Sequence, residues 1–142
     1  MNRNELSIED KLLLIKDLSA RLPYAVTVEH TSGFRGTLHN ITVHHMYDDN
    51  DNVYDAICYT DFFGDNDDIY IEFFKPYLFP LSSMTKEQKE EMKSFDPFQT
   101  EETKTLGQWV VHLVDFYNKY HFDYRGLIEK GLALDATGLN IY

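Results

Sequence analysis

Apolar residues recur at three- and four-residue steps towards the two ends of the chain, and at two-residue steps between them. Ile8, Leu12, Ile15 and Leu18 or Leu22 fall on one face of a helix. Ser7 and Asp10 have the N-cap and N3 spacing of a capping box, with Asp in place of the usual Glu, and Pro23 ends the helix. From Tyr24 the period is two. Val26 and Val28 point one way, Thr27 and Glu29 the other, and Thr31-Ser32-Gly33 supplies the turn of a hairpin whose second strand runs from Arg35 to Met46. Leu38 and Ile41 are three apart rather than two, which predicts a bulge near His39-Asn40. Val53 to Tyr59 reads as a third strand, apolar on both faces, and Ile69, Ile71 and Phe73 as a fourth. Asp48 to Asn52 and Gly64 to Asp68 are the intervening turns.

After Lys75-Pro76 the chain is expected to leave the ladder, because proline removes a donor and restricts the residue before it. Thr85 with Gln88 makes a capping box for a short polar helix over Lys86 to Lys93, which Asp96-Pro97 breaks. A long amphipathic helix follows, with Leu106, Trp109 or Val110, Leu113, Phe116 or Tyr117 and Tyr120 on a stripe expected to cover the sheet. Asp123 is expected to cap a final helical turn or two carrying Leu127 and Ile128, Gly131 to stand at C′, and the tail beyond Leu134 to be loose. The fold class is α+β in one domain, with an N-terminal helix over 1–23, a strongly curved antiparallel sheet over 24–80, C-terminal helices over 85–134 and a tail over 135–142. Four short strands cannot cover their own apolar face when flat, so the sheet is expected to curl into a small SH3-like barrel.

Composition narrows this picture. A chain of 142 residues buries roughly 68–70% of its unfolded surface, enough for a self-sufficient core. Its 43% hydrophobic content is too high for disorder despite a net charge of −11. No apolar run approaches the roughly 20 residues that span a bilayer, and nothing near Met1 has the pattern of a signal peptide. With the lone Cys58 this sets the expectation of a cytoplasmic protein that does not bind membranes.

Candidate catalytic and metal chemistry is sparse. His44 and His45 are adjacent and so face opposite sides of a strand, and His112 and His121 are nine apart rather than four, so the six histidines read as structural or surface residues. Asp48-Asp49-Asn50-Asp51-Asn52 begins like a calcium loop, but Val53 stands where glycine must make the sharp turn and Tyr59 where the bidentate glutamate belongs. Nucleophile elbows, phosphate-binding loops and dinucleotide fingerprints do not occur, and apolar neighbours make Cys58 an inert thiol. No catalytic, cofactor-binding or metal-ligating residue is therefore assigned, and the chain reads as non-catalytic.

Charge distribution is the unusual feature. No Lys or Arg lies between Arg35 and Lys75, where Asp48, Asp49, Asp51, Asp55, Asp61, Asp65, Asp67, Asp68 and Glu72 all fall. Such a segment repels phosphates, which argues against direct nucleic-acid binding by the sheet. Its bland reading is solubility and protection of sheet edges. Its sharper reading is a protein-interaction module whose acidic, aromatic docking face, Asp48, Asp49, Asp51, Tyr54, Tyr59, Asp65, Asp67 and Asp68, meets a basic protein. The alternative is a small-ligand binder or an enzyme whose site is too scattered to recognise.

Three islands, KDLSARLPYAVTV (16–28), KPYLFPLSSMTKEQKEEM (75–92) and FDYRGLIEKGLAL (122–134), resemble a family of small uncharacterised proteins of Bacteroides and related gut bacteria, often encoded in prophage or mobile regions. The resemblance implies one domain and a bacterial cytoplasmic origin. It carries no catalytic residues.

Overall fold

Ser7 Oγ accepts from Asp10 N at 3.1 Å and so starts α1 (Ile8–Arg21) in a computed structural model that describes residues 6–47, 52–60, 67–94 and 105–142. The buried face of α1 is Leu14, Asp17, Leu18 and Arg21, whereas Ile8, expected inside, is about half exposed. The run Leu12-Leu13-Leu14-Ile15 offers several helical phases. The phase adopted places an ion pair, Asp17 and Arg21, beside Leu14 and Leu18, because opposite charges four residues apart can be buried together.

The sheet runs β1 (Thr27–His30), β2 (Arg35–Tyr47), β3 (Asn52–Thr60), β4 (Asp67–Tyr70) and β5 (Phe74–Pro80). Strand order is β4-β3-β2-β1-β5, and the result is a strongly curled half-barrel in a mixed α+β fold. The first hairpin turns at Gly33, whose φ of 95° suits glycine, and the register slips between Leu38 and Asn40 where the three-residue step predicts a bulge. Below the curl lie Leu14, Leu18, Val26, Val28, Leu38, Cys58, Ile71 and Leu78, all fully buried, and α1 packs on β2 and β3 to close this core.

Four expectations need correction. The fourth strand ends at Tyr70, and a 3-10 turn, Ile71–Phe73, swings the chain from β4 across to pair with β1. Lys75-Pro76 then lies inside β5 instead of ending the ladder. Thr31 N donates to Phe73 O at 2.9 Å, and by the alternation of antiparallel pairs Val28↔Pro76 is a position that exchanges no bonds with β1. The missing N–H of Pro76 therefore faces the opposite edge, ahead of the first β7 pair at Tyr77.

Secondly, the long helix does not cover the sheet. Thr105 and Gln108 form a capping box and start α3 (Leu106–Lys119), but its buried residues are Phe116 and Asn118 alone. Leu106 and Val111 are 63% and 60% exposed, while Trp109 and Leu113 are only partly buried. Since α1 already covers the core, α3 touches the body through its last turns, where Phe116 stacks on Phe122 at 6.1 Å. The polar α2 (Lys86–Ser94) starts at the Thr85–Gln88 box as expected.

Thirdly, the segment after α3 opens as a strand, and its helical content is limited to the one capped turn placed at Leu127 and Ile128. Phe122–Asp123 forms β6, parallel to β5, and the Asp123 carboxylate accepts from Leu127 N (2.8 Å) and Ile128 N (3.0 Å) to cap a single turn. Leu132 N to Leu127 O and Gly131 N to Ile128 O complete a Schellman motif with Gly131 at C′, φ 75°, and Leu127 and Leu132 both buried. Fourthly, the tail is ordered. Leu134–Asp135 forms β7 on β5, Ala136 N donates to Leu78 O at 2.8 Å, and Tyr142 returns to the β1–β5 seam. There its hydroxyl accepts from Thr27 N (2.9 Å) and donates to Tyr77 O (2.7 Å), so it is inserted into the ladder at the next bonding position.

These placements predict opposite outcomes on the two longest helices. Leu18→Ala should destabilise the protein by about 2–5 kcal/mol through cavity formation, whereas Leu106→Ala should fall within about 0.5 kcal/mol of wild type. Urea unfolding of both variants checks this, and equal losses would contradict the packing.

Candidate functional site

The strand order makes β4 an edge of the sheet, and the register sets Tyr59 opposite Asp68 and Thr60 opposite Asp67. Tyr54 sits opposite His45, five residues and so roughly 17 Å along β3 from Tyr59. Asp48, Asp49, Asp51 and Asp65 lie outside the described residues. Of the docking candidates, the register therefore sets Asp68 opposite Tyr59, with Asp67 beside Asp68 on the strand that ends the sheet among the described residues, and places Tyr54 further along the hairpin.

Cys58 pairs with Ile41 and Ile69 across the sheet and is fully buried. Burial, helped by the charge of Glu72, pushes its thiol up to about 12, so no thiolate is present at neutral pH.

Two open grooves carry polar groups. One, of about 330 Å³, is lined by Glu29, His30, Thr31, Glu72, Phe74 and Lys75 among others. Three of these side chains have partners: Glu29 accepts from Tyr77 Oη at 2.6 Å, His30 Nδ1 lies 2.7 Å from Ser32 Oγ, and Glu72 is 3.9 Å from Lys11 Nζ. The other, of about 520 Å³, runs along Phe79, Ala136, Gly138, Asn140, Ile141 and Tyr142, and lacks any ionisable side chain other than the tyrosine. Among the described residues no group of three His, Cys, Asp or Glu could hold a metal ion.

A buried cluster of charged and aromatic groups was not anticipated. Arg21, fully buried, donates through Nε and Nη2 to Asp17 at 2.7 and 3.0 Å, and through Nη2 to Phe122 O at 2.7 Å. Next to Phe122, His121 is buried with φ 61°, its ring stacked on Tyr142 at 3.6 Å and 9°. Burial, with the Arg21 charge adding to it, lowers its pKa from 6.5 to about 4, so His121 is neutral at pH 7. Burial likewise raises the Tyr142 hydroxyl to about 12. Tyr142 is 44% exposed as a residue, yet the end carrying its hydroxyl is the end inserted in the sheet. The spacing of Asp17 and Arg21, in phase with Leu14 and Leu18, is the signal that could have revealed this cluster. Asp17, Arg21 and the Phe122 carbonyl bond to one another, while Arg21 Nη1 and His121 Nδ1 are buried without a hydrogen-bond partner, and the bonded set makes the cluster a fastener between α1 and the C-terminal segment. Comparison with protein-family models, with curated proteins and with solved structures found no match to the chain.

His121 gives a pH signature. Between its unfolded pKa of 6.5 and its folded value of about 4, the unfolded chain binds a proton that the folded one does not. Stability is therefore complete above pH 6.5 and falls as pH drops towards 4, by roughly 3 kcal/mol for this group. His121→Asn, which tolerates the positive φ, should flatten this part of the curve in denaturation series between those pH values. An unchanged slope would contradict the assignment.

Proposed function

We propose that the protein is a non-catalytic protein-interaction module, built on an SH3-like curl of its sheet, that meets a basic partner protein through the acidic edge β4 and the adjacent Tyr59. The observation that carries this reading is the register that sets Asp68, on the end strand β4 of the described sheet, opposite Tyr59 of β3. Two further points support it: the thiol is buried and protonated, and Glu29 and Glu72 in the smaller groove already have partners. On the resemblance drawn above, the module acts in a bacterial cytoplasm. An acidic edge disfavours phosphate backbones, so nucleic acid is not its direct partner. Among the described residues no helix is long and apolar enough to cross a membrane.

Carboxylates on a short edge strand also keep sheets from pairing with one another, and charge reversal separates the two roles. In the Asp67→Lys/Asp68→Lys variant, proteins captured by the wild type should associate more slowly, on the order of tenfold at low salt, with the difference shrinking as salt rises. Melting temperature, measured alongside, should barely move if the two carboxylates act on partners alone. Partners that bind the reversed variant as fast as wild type would leave edge protection as the sole role of these charges.

A further inference from the structure

The long hairpin outruns the rest of the sheet. β1 accompanies β2 through Thr37, with Leu38 N donating to Val26 O at 3.1 Å, and β4 accompanies β3 from Ile57 to Thr60. From Val43 to Tyr47, β2 pairs with Ala56 to Asn52 of β3 alone among the described residues. Ile41 still packs against the core, but Thr42 and Val43 are both exposed. Successive strand residues point to opposite faces, so the ribbon is solvated on both faces there. A two-stranded ribbon in water is marginal by itself, and its outer backbone groups can template a further strand.

The two free edges on this side of the sheet differ in chemistry. β4 is four residues long and carries Asp67-Asp68, which blunts it. The β2 edge from Ile41 to Tyr47 reads ITVHHMY, with no Asp, Glu, Lys, Arg, Pro or Gly to discourage pairing. An edge without formal charges selects no partner by sign, but it is self-complementary. Antiparallel pairing about a two-fold axis at His44 lays Ile41 against Tyr47, Thr42 against Met46, Val43 against His45, and His44 against its own counterpart.

The net charge of −11 per chain is the obstacle, and this register reduces it. The acidic run that follows Tyr47 in sequence starts from opposite ends of the paired segment in the two copies. The two Tyr47 positions stand six residues apart, roughly 20 Å, more than twice the ~8 Å screening length at physiological salt. Parallel pairing would instead start the two runs from the same end. We propose that the protein forms a two-fold dimer in which the Ile41–Tyr47 edges of two copies pair antiparallel, turning two marginal ribbons into one four-stranded sheet. This does not depend on the basic-partner reading, and its salt dependence has the opposite sign.

Sedimentation or light scattering should show the mass doubling from 16.7 kDa as concentration rises, and the dimer should strengthen as salt is added because like-charged bodies are being screened. Cross-linking tests the register. Residues directly opposite have Cα atoms about 4.5 or 5.5 Å apart, within disulfide range, so His44→Cys should oxidise rapidly to a covalent dimer. Thr42→Cys should not, because its counterpart lies four residues away, roughly 14 Å. The native Cys58 is fully buried and does not compete, and melting curves confirm that each variant is folded. A mass of 16.7 kDa at every concentration and salt, or cross-linking of Thr42→Cys that matches His44→Cys, would overturn the proposal.

Discussion

A guanidinium with no exposure to water is what the rest of the C-terminal architecture depends on. Arg21 is held by both oxygens of Asp17 on the next turn of α1, and it spends its remaining Nη2 bond on Phe122 O, 101 residues away. Tyr124 lies under the same guanidinium at 5.1 Å, and Arg125 Nε approaches Asp17 at 3.6 Å. Burying two charges costs several kcal/mol per ion, so the pair adds little net stability over an apolar substitute. What it supplies is specificity: a chain segment that fails to bring its carbonyl to Arg21 leaves a buried charge short of partners. Phe122 is thereby fixed, the carbonyl of its neighbour His121 accepts from Phe79 N at 2.8 Å, and β6 is aligned on β5. The Schellman turn, β7 and Tyr142 follow from that anchor, ending with a hydroxyl inserted between Thr27 and Tyr77.

Local signals in the sequence were reliable where a few neighbouring residues decide the outcome. Ser7, the Thr85–Gln88 box, the turn at Gly33, the bulge after Leu38 and Gly131 at C′ all depend on capping geometry or φ, and they stand as read. The same logic applied to Thr105 and Gln108 would have marked the start of α3. Long-range competition was less legible. Both α1 and α3 carry apolar faces, and nothing local says that α1 takes the sheet while Leu106, Val110 and Val111 stay exposed. Pro76 looked like a strand breaker because its missing donor matters on only one edge, and which edge depends on pairing with β1. Nor could composition show that a residue as distant as Tyr142 would complete that same ladder.

The candidate site was legible in part. The absence of Lys and Arg between Arg35 and Lys75 marks the acidic segment directly, but only the register brings Asp68 opposite Tyr59 and separates Tyr54 from them. The pairing pattern also distinguishes two kinds of free edge, one short and charged, the other long and neutral. The two proposals give these edges different partners, a basic protein at β4 and a second copy at β2, so an acidic surface can coexist with a contact between like copies.

The central structural claim is that the buried charge of Asp17 holds the C-terminal segment in place, and hydrogen exchange of Asp17→Asn against wild type tests it most directly. The side chain keeps its shape and loses its charge, so α1 and the β2–β3 ladder should keep their protection. The account predicts accelerated exchange confined to the amides of Phe79, Leu127, Leu132 and Ala136, whose bonds depend on the anchored segment. Unchanged protection at those amides, or a uniform loss across the sheet, would contradict it.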